Sequence, residues 1–291
     1  MKRTVVSVIG TCLIVGTACA QKSESVILEE PTGAQTIRFP MSAGFVEGVD
    51  FQVERKVAPG GVHRFASLGD QPLTRNTVFV DTSEEELQLA AIKGQRALYK
   101  RETVPNMVDR LWEPAHRPIV AVNGDFWGSG SYPLNHFVAN GMIWRTVPGP
   151  DDENRSYFAF DVENNYYIGK NKIAIELIGP NESLVVDEVN FPADHSETVV
   201  YTWPIGEEAP APPEGWSQAV LTLPGGEWLP NDPVTVTVKE ANVPGTVALD
   251  ENTVVLQTEK EMPAWVKAGT KARLSATLDA LPAKVLGVMG G

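Results

Sequence analysis

Between Phe137 and Thr277 the chain is a train of short runs rich in Val, Ile, Tyr and Thr, cut at close intervals by Gly, Pro, Asn or Asp. No other feature constrains the fold as much. Runs of this length are too short for helices, and their β-branched and aromatic content suits strands. Strand patterns fall near 137–145, 156–162, 165–168, 173–178, 184–190, 198–203, 218–223, 233–238, 253–257 and 271–277, with Val234 to Val238 (VTVTV) a clean alternation. Residues 204–217, rich in proline and acid, read as a connection between them. Upstream, from Val46 to Val80, apolar runs again alternate with turn signals. There Pro59-Gly60-Gly61 is a turn, and Val78-Phe79-Val80 reads as a buried strand core ending at Asp81. The segment Ser83-Glu84-Glu85-Glu86 is ambiguous. Ser83 and Glu86 have capping-box spacing, while Leu87, Leu89 and Ala91 alternate as in a strand. Its acidic triplet reads as solvated surface.

One stretch has helical period. Val104, Met107, Val108, Leu111 and Trp112 share a face, Thr103 can cap it, Pro105 suits the first turn and Pro114 stops it. This predicts a helix over 103–113 packed on a sheet, with Met107 and Trp112 in the core. Pro118 to Val122 is all apolar and predicts a strand buried on both faces. The expected fold class is α+β: one domain over 46–291 with a large mixed, mainly β sheet and few helices. The 25 glycines and 22 prolines agree with that bias.

The start of the chain reads as an address. Met1-Lys2-Arg3 is a positive region, Val5 to Val15 an apolar one, and Ala18-Cys19-Ala20 a small-residue exit, which together predict a signal peptide over 1–20. Gly16-Thr17-Ala18 before Cys19 loosely resembles a lipobox, so a lipid anchor at Cys19 stands beside simple cleavage. Either way the expected location is outside the cytoplasm: periplasmic, extracellular or anchored to the envelope. Residues 21–45 read as a linker. Cys12 and Cys19, the only cysteines, both lie in the leader, so the remainder has no disulfide, thiol nucleophile or cysteine metal site. His63, His116 and His195 stand singly without ligand spacing, and no metal or cofactor is expected. A formal net charge of −13 argues against nucleic acid as a partner and against docking on anionic lipid.

Chemistry concentrates in 119–145, IVAVNGDFWGSGSYPLNHFVANGMIWR. An apolar run opens into Asn123-Gly124-Asp125, two aromatics (Phe126, Trp127) and a glycine-containing loop, and the chain returns through Asn140-Gly141. Strand ends of this kind often carry sites, because rigid strands position polar groups. Asn123 offers an amide, Gly124 close backbone approach and Asp125 a carboxylate, while Phe126 and Trp127 can wall a sugar-sized pocket. Asn-Gly-Asp is equally what a tight turn wants.

This segment resembles the phosphodiester glycosidase domain family, the family of the lysosomal uncovering enzyme and of bacterial exopolysaccharide-associated relatives. The resemblance rests on Ile119–Val122, then Asn123 to Trp127, Gly128 to Pro133 and Asn140-Gly141. It continues with Glu102-Thr103, Arg155 to Phe160, Asn190-Phe191-Pro192 and Val200-Tyr201-Thr202, in that order, over roughly 55–291. Trp127 stands where Phe is usual. Gly287-Val288-Met289-Gly290-Gly291 looks like the start of a glycine-rich block that the family continues, so the sequence looks truncated at its C-terminal end.

The resemblance implies hydrolysis of the bond between a sugar's anomeric carbon and a phosphodiester. A phosphate monoester, with a second pKa of about 6, leaves well, so the demand falls on a carboxylate at the anomeric centre and on cations at the phosphate. Asp125 is the first candidate carboxylate, Asn123 would orient sugar or water, and His136 is a candidate acid or base or else a structural histidine. Gly124, Phe126, Trp127, Asn140, Gly141 and Arg155 are candidate substrate-binding residues. Arg155 could instead pair with the nearby Asp151-Asp152-Glu153, and Glu102 could face the site or cap the helix. The partner is a carbohydrate or sugar-phosphate substrate, the oligomeric state is open, and no cofactor is implied. The net negative charge sits awkwardly with an anionic substrate unless a local basic cluster overcomes it. A non-catalytic, glycan-binding envelope module using Phe126, Trp127 and Tyr132 is the competing reading, and a structural lipoprotein domain a third.

Overall fold

Thr103 starts the helix that the apolar spacing predicts. Its hydroxyl accepts from the Asn106 N–H at 3.4 Å, Pro105 sits in the first turn, and α1 runs Val104–Leu111. A computed structural model describes residues 24–27, 51–68, 73–84, 86–112, 117–147, 156–170, 173–191, 196–279, 281 and 283–290. The leader, most of the 21–45 linker, Arg155, His116 and His195 lie outside the described residues. The fold is mainly β, with 44% of the described residues in strands. Among the described residues no helix is long and apolar enough to cross a membrane.

Chain contacts divide into two units. The first holds a four-stranded sheet in sequential order: β1 (Glu24–Ile27), β2 (Phe51–Ala58), β3 (Gly61–Leu68) and β4 (Leu73–Val80). The Pro59-Gly60 turn joins β2 to β3, with Gly60 at φ +70°. Val78-Phe79-Val80 ends a strand as expected, yet that strand is not buried. β4 is a sheet edge, and Phe79 is 51% exposed beneath the Arg64 guanidinium, 4.9 Å from its ring centroid. Residues 81–84 form a turn in which the Asp81 carboxylate accepts from the N–H and hydroxyl of Ser83, so neither helix nor strand starts there. Those two bonds hold the Asp81 carboxyl below its ordinary range.

The second unit carries the remaining strands. They are β5 (Phe137–Ala139), β6 (Met142–Arg145), β7 (Tyr157–Asp161), β8 (Tyr166–Gly169), β9 (Ile173–Ile178), β10 (Ser183–Val186), β11 (Glu188–Val189), β12 (Thr198–Tyr201), β13 (Glu208–Ala209), β14 (Ser217–Thr222), β15 (Val234–Ala241), β16 (Val247–Ala248), β17 (Thr253–Thr258), β18 (Lys271–Leu278) and β19 (Val285–Gly290). Eight form one sheet in the order β10-β9-β18-β15-β14-β17-β12-β11, antiparallel except for β11 beside β12. Five form an antiparallel sheet, β6-β5-β19-β7-β8, and β13 pairs with β16. Along β9 and β18 buried and exposed residues alternate, so each lays one face on the core. Side chains of both large sheets, from Val138 and Trp144 to Leu177, Leu256 and Leu274, join in one buried cluster.

Two further local expectations fail. Pro118 to Val122 is not a strand; among the described residues it pairs with none. Its apolar character has a different cause. Ile119 and Val120 pack on Ala58 and Leu87 in the first unit, and from Ala121 onward the chain belongs to the second. No residue of α1 is buried and Trp112 is 46% exposed, so Met107 and Trp112 are not core residues. Conversely, the segment read as the opening of a glycine-rich block is β19, the middle strand of the five. Its glycines make room for neighbours: the Phe160 ring fills the space over Gly287, and the Asn135 side chain that over Gly290. Gly287→Ala would drive a methyl into the buried Phe160 ring. We expect a loss of about 1–3 kcal/mol in urea unfolding.

Candidate functional site

The chain from Ala121 to Trp127 lines a cavity of about 750 Å³ in the second unit. Residues 92–95 and 100–103 line it as well, as do Val104, Met107, Val108 and Leu111 of α1, and Phe137 and Met289, which are paired between β5 and β19. The helical face that the sequence assigned to the core is therefore cavity wall.

Asp125 stands on this lining with its carboxylate clasped by Asn135. The Asn135 N–H donates to Oδ2 at 2.9 Å and its side-chain amide to Oδ1 at 2.5 Å. Burial raises the Asp125 pKa. The Asn135 donors, the Phe126 N–H and the Arg145 charge oppose that rise without cancelling it. The loop between them is tightly pinned. Gly128 N–H donates to Tyr132 O and Leu134 N–H to Phe126 O, each at 2.9 Å. A Cβ on Gly128 would meet the Tyr132 ring at 2.6 Å, so that position needs glycine. Buried Arg145 lies 4.2 Å from the centroids of both Tyr132 and Phe191 and donates to Pro133 O at 2.5 Å.

Phe126 and Trp127 project from the same segment, 71% and 59% exposed. The Arg101 guanidinium sits 3.7 Å from the Trp127 ring centroid, its Nε–H on Ser131 Oγ at 2.8 Å. Lys93 and Lys100 line the cavity with Arg101. The Lys93 ammonium donates to the carbonyls of Lys100 and, at 3.3 Å, Ser131. Burial, helped by the Arg101 charge, lowers its pKa to about 8. Glu102 also lines the cavity, paired with Arg110 at 2.8 Å and accepting the Gln95 N–H at 2.8 Å, which keeps its carboxyl below the ordinary range.

The structure thus brings Asn123, Gly124, Asp125, Phe126 and Trp127 to one cavity and leaves other candidates apart. His136 is buried, with Nδ1 accepting the Val147 N–H at 3.2 Å, and does not line the cavity. Asn140 and Gly141, at φ 51° and 77°, form the two-residue turn between β5 and β6. Neither lines the cavity. Tyr132 packs inward between Tyr99 and Phe191. Among the described residues no group of three His, Cys, Asp or Glu could hold a metal ion. Sequence reasoning missed Lys93, Lys100 and Arg101, although a basic cluster just ahead of the helix in an acidic chain was a usable signal.

Lys93 gives the cavity a pH signature. Its folded pKa lies below the unfolded value of 10.5, so between pH 8 and 10.5 the unfolded chain binds more protons and this group's contribution to stability rises with pH. Anion binding runs the other way. We expect affinity for methyl phosphate to fall several-fold between pH 7 and 9, and Lys93→Arg to flatten that profile in calorimetric titrations.

No protein-family model matches the chain, and no curated protein matches it. Among solved structures, the crystal structure of a hypothetical protein from Synechocystis is similar, with a TM-score of 0.54 and 14% identity, over 82% of this chain and 43% of that one. The chain thus spans less than half the length of that neighbour, and the likeness is one of fold alone.

Proposed function

We propose that this chain is an exported hydrolase of the phosphodiester glycosidase type, on an α+β scaffold with a large mixed sheet, cleaving the bond between a sugar's anomeric carbon and a phosphodiester. One observation carries the reading. A carboxylate, an amide, two exposed aromatic rings and three cations line the same cavity (Asp125, Asn123, Phe126, Trp127, Lys93, Lys100 and Arg101). The local basic cluster answers the objection raised by the acidic chain as a whole. Stacking on Phe126 and Trp127 would hold the sugar, and the cations would take the charge of the departing phosphate. Water attacks the anomeric carbon, the bond from that carbon to the phosphate oxygen breaks, and the water's proton passes to Asp125. A carboxylate offers about four lone-pair sites. The Asn135 and Phe126 donors leave at least one for that proton. A pKa raised by burial favours its acceptance.

The same clasp favours a second reading. A carboxylate held twice by one asparagine also serves as a loop fastener, and the rings would then belong to a non-catalytic glycan-binding module of the cell envelope. Incubation with UDP-N-acetylglucosamine or an aryl ester of a sugar 1-phosphate separates the two. Free reducing sugar supports the hydrolase; glycan retention without release at any protein concentration supports the module.

A further inference from the structure

Sugar recognition accounts for only one side of the cavity. Amide, carboxylate and aromatic groups come from 123–127, and the cations from Lys93, Lys100 and Arg101. Besides polar groups at Gln95, Glu102, Thr103, Asn106 and Ser131, the remaining lining includes the apolar face of α1, with Val122 and Met289. A helix with apolar residues at this spacing normally buries that face. Here no residue of α1 is buried, and the face is turned to the cavity that also holds the cations.

Aromatic, cationic and aliphatic groups line one cavity, and Arg101 and Val104 are close neighbours in the chain. Arg101 is stacked on Trp127, which puts a cation directly beside the aromatic platform. Three residues later the helix begins with Val104, which puts the apolar wall directly after the cation. A ligand filling this cavity has aromatic faces, positive charge and aliphatic surface within its walls. The cavity volume of about 750 Å³ lies in the range of roughly 300–1,000 Å³ usual for sites that enclose a whole small molecule.

We infer that the α1 face receives an alkyl chain carried by the alcohol on the far side of the phosphate, so that the substrate class is a sugar 1-phosphodiester of a long-chain alcohol. This rests on the phosphodiester reading of the same cavity and adds to it the chemistry of the leaving group. The products would be the free sugar and an alkyl phosphate.

Calorimetry on the full chain with octyl phosphate and 2-hydroxyethyl phosphate tests the apolar subsite without sugar or turnover. Burial of three methylenes, at about 0.8 kcal/mol each, corresponds to about 50-fold tighter binding of the octyl ester. Met107→Gln and, separately, Leu111→Gln should cut that ratio at least about fivefold. Equal affinity of the two esters, or a ratio unmoved by both substitutions, overturns the inference. Kinetics on the octyl and 2-hydroxyethyl esters of N-acetylglucosamine 1-phosphate then part the two claims. Sugar released from both at equal kcat/KM keeps the hydrolase and removes the alkyl subsite. No release from either, with octyl preference in binding intact, removes the hydrolase and keeps the apolar site.

Discussion

Asp125→Asn is expected to lower sugar release by about 10²- to 10⁴-fold, the range seen when a positioned acid–base group is lost. The substitution also has a structural side. An asparagine at 125 presents one carbonyl and one amide, so one of the two donors from Asn135 would face another donor. The loop from Phe126 to Leu134 would loosen, with a stability loss of about 1–3 kcal/mol. Turnover must therefore be compared on protein shown to be folded, and against Asn135→Ala, which opens the clasp but keeps the carboxylate. If Asp125 takes the proton, Asn135→Ala retains much more turnover than Asp125→Asn. Equal losses in the two variants would make Asp125 a fastener, and the hydrolase would need another carboxylate.

The largest stability effect is expected at Asn190. This residue is fully buried at φ 58°, a backbone conformation that asparagine tolerates better than most residues. Its amide donates to Trp144 O at 3.0 Å and Thr202 Oγ at 2.8 Å, and its oxygen accepts the Thr202 N–H at 2.7 Å. The side chain thus ties β6 to the end of β12, one strand from each large sheet. Asn190→Ala strands a buried carbonyl and a buried N–H and leaves alanine in the left-handed region. A cost of about 3–5 kcal/mol should appear in urea unfolding. Asn190→Asp, of the same shape but unable to donate, should recover only part of it. A loss below about 1 kcal/mol for Asn190→Ala would show that water replaces these bonds.

Legibility in the sequence followed how local the determinants were. Strand patterns of the second unit were readable because alternation and turn residues act within a few positions; β9 spans 173–178, as its pattern predicts. The α1 boundaries were readable for the same reason, through Thr103 and Pro105. The surroundings of those elements were not. An apolar helical stripe looks alike whether it meets a core or a cavity, and the run from Pro118 to Val122 looks like a strand although its two halves serve different units. Asn123 to Trp127 could be named from composition and spacing alone. Lys93 and Arg101 were visible only as a basic cluster, because their proximity to Trp127 and Ser131 depends on how separate segments meet. Asn140-Gly141 lies in a hairpin turn away from this cavity, and the same dipeptide both lines sites and makes such turns.

The position of β19 bears on how the molecule comes to exist. The β5–β6 and β7–β8 hairpins lie next to each other in sequence, yet the strand that joins them arrives only at Val285. During synthesis both hairpins emerge early and wait with open edges while the eight-stranded sheet is still being made. Pairing across so long a loop is slow, and open edges invite association with other chains. Met289 belongs to the same late strand and to the cavity. The cavity is therefore among the last parts to take shape, and a nascent chain released before β19 would carry its candidate catalytic residues without finished walls around them.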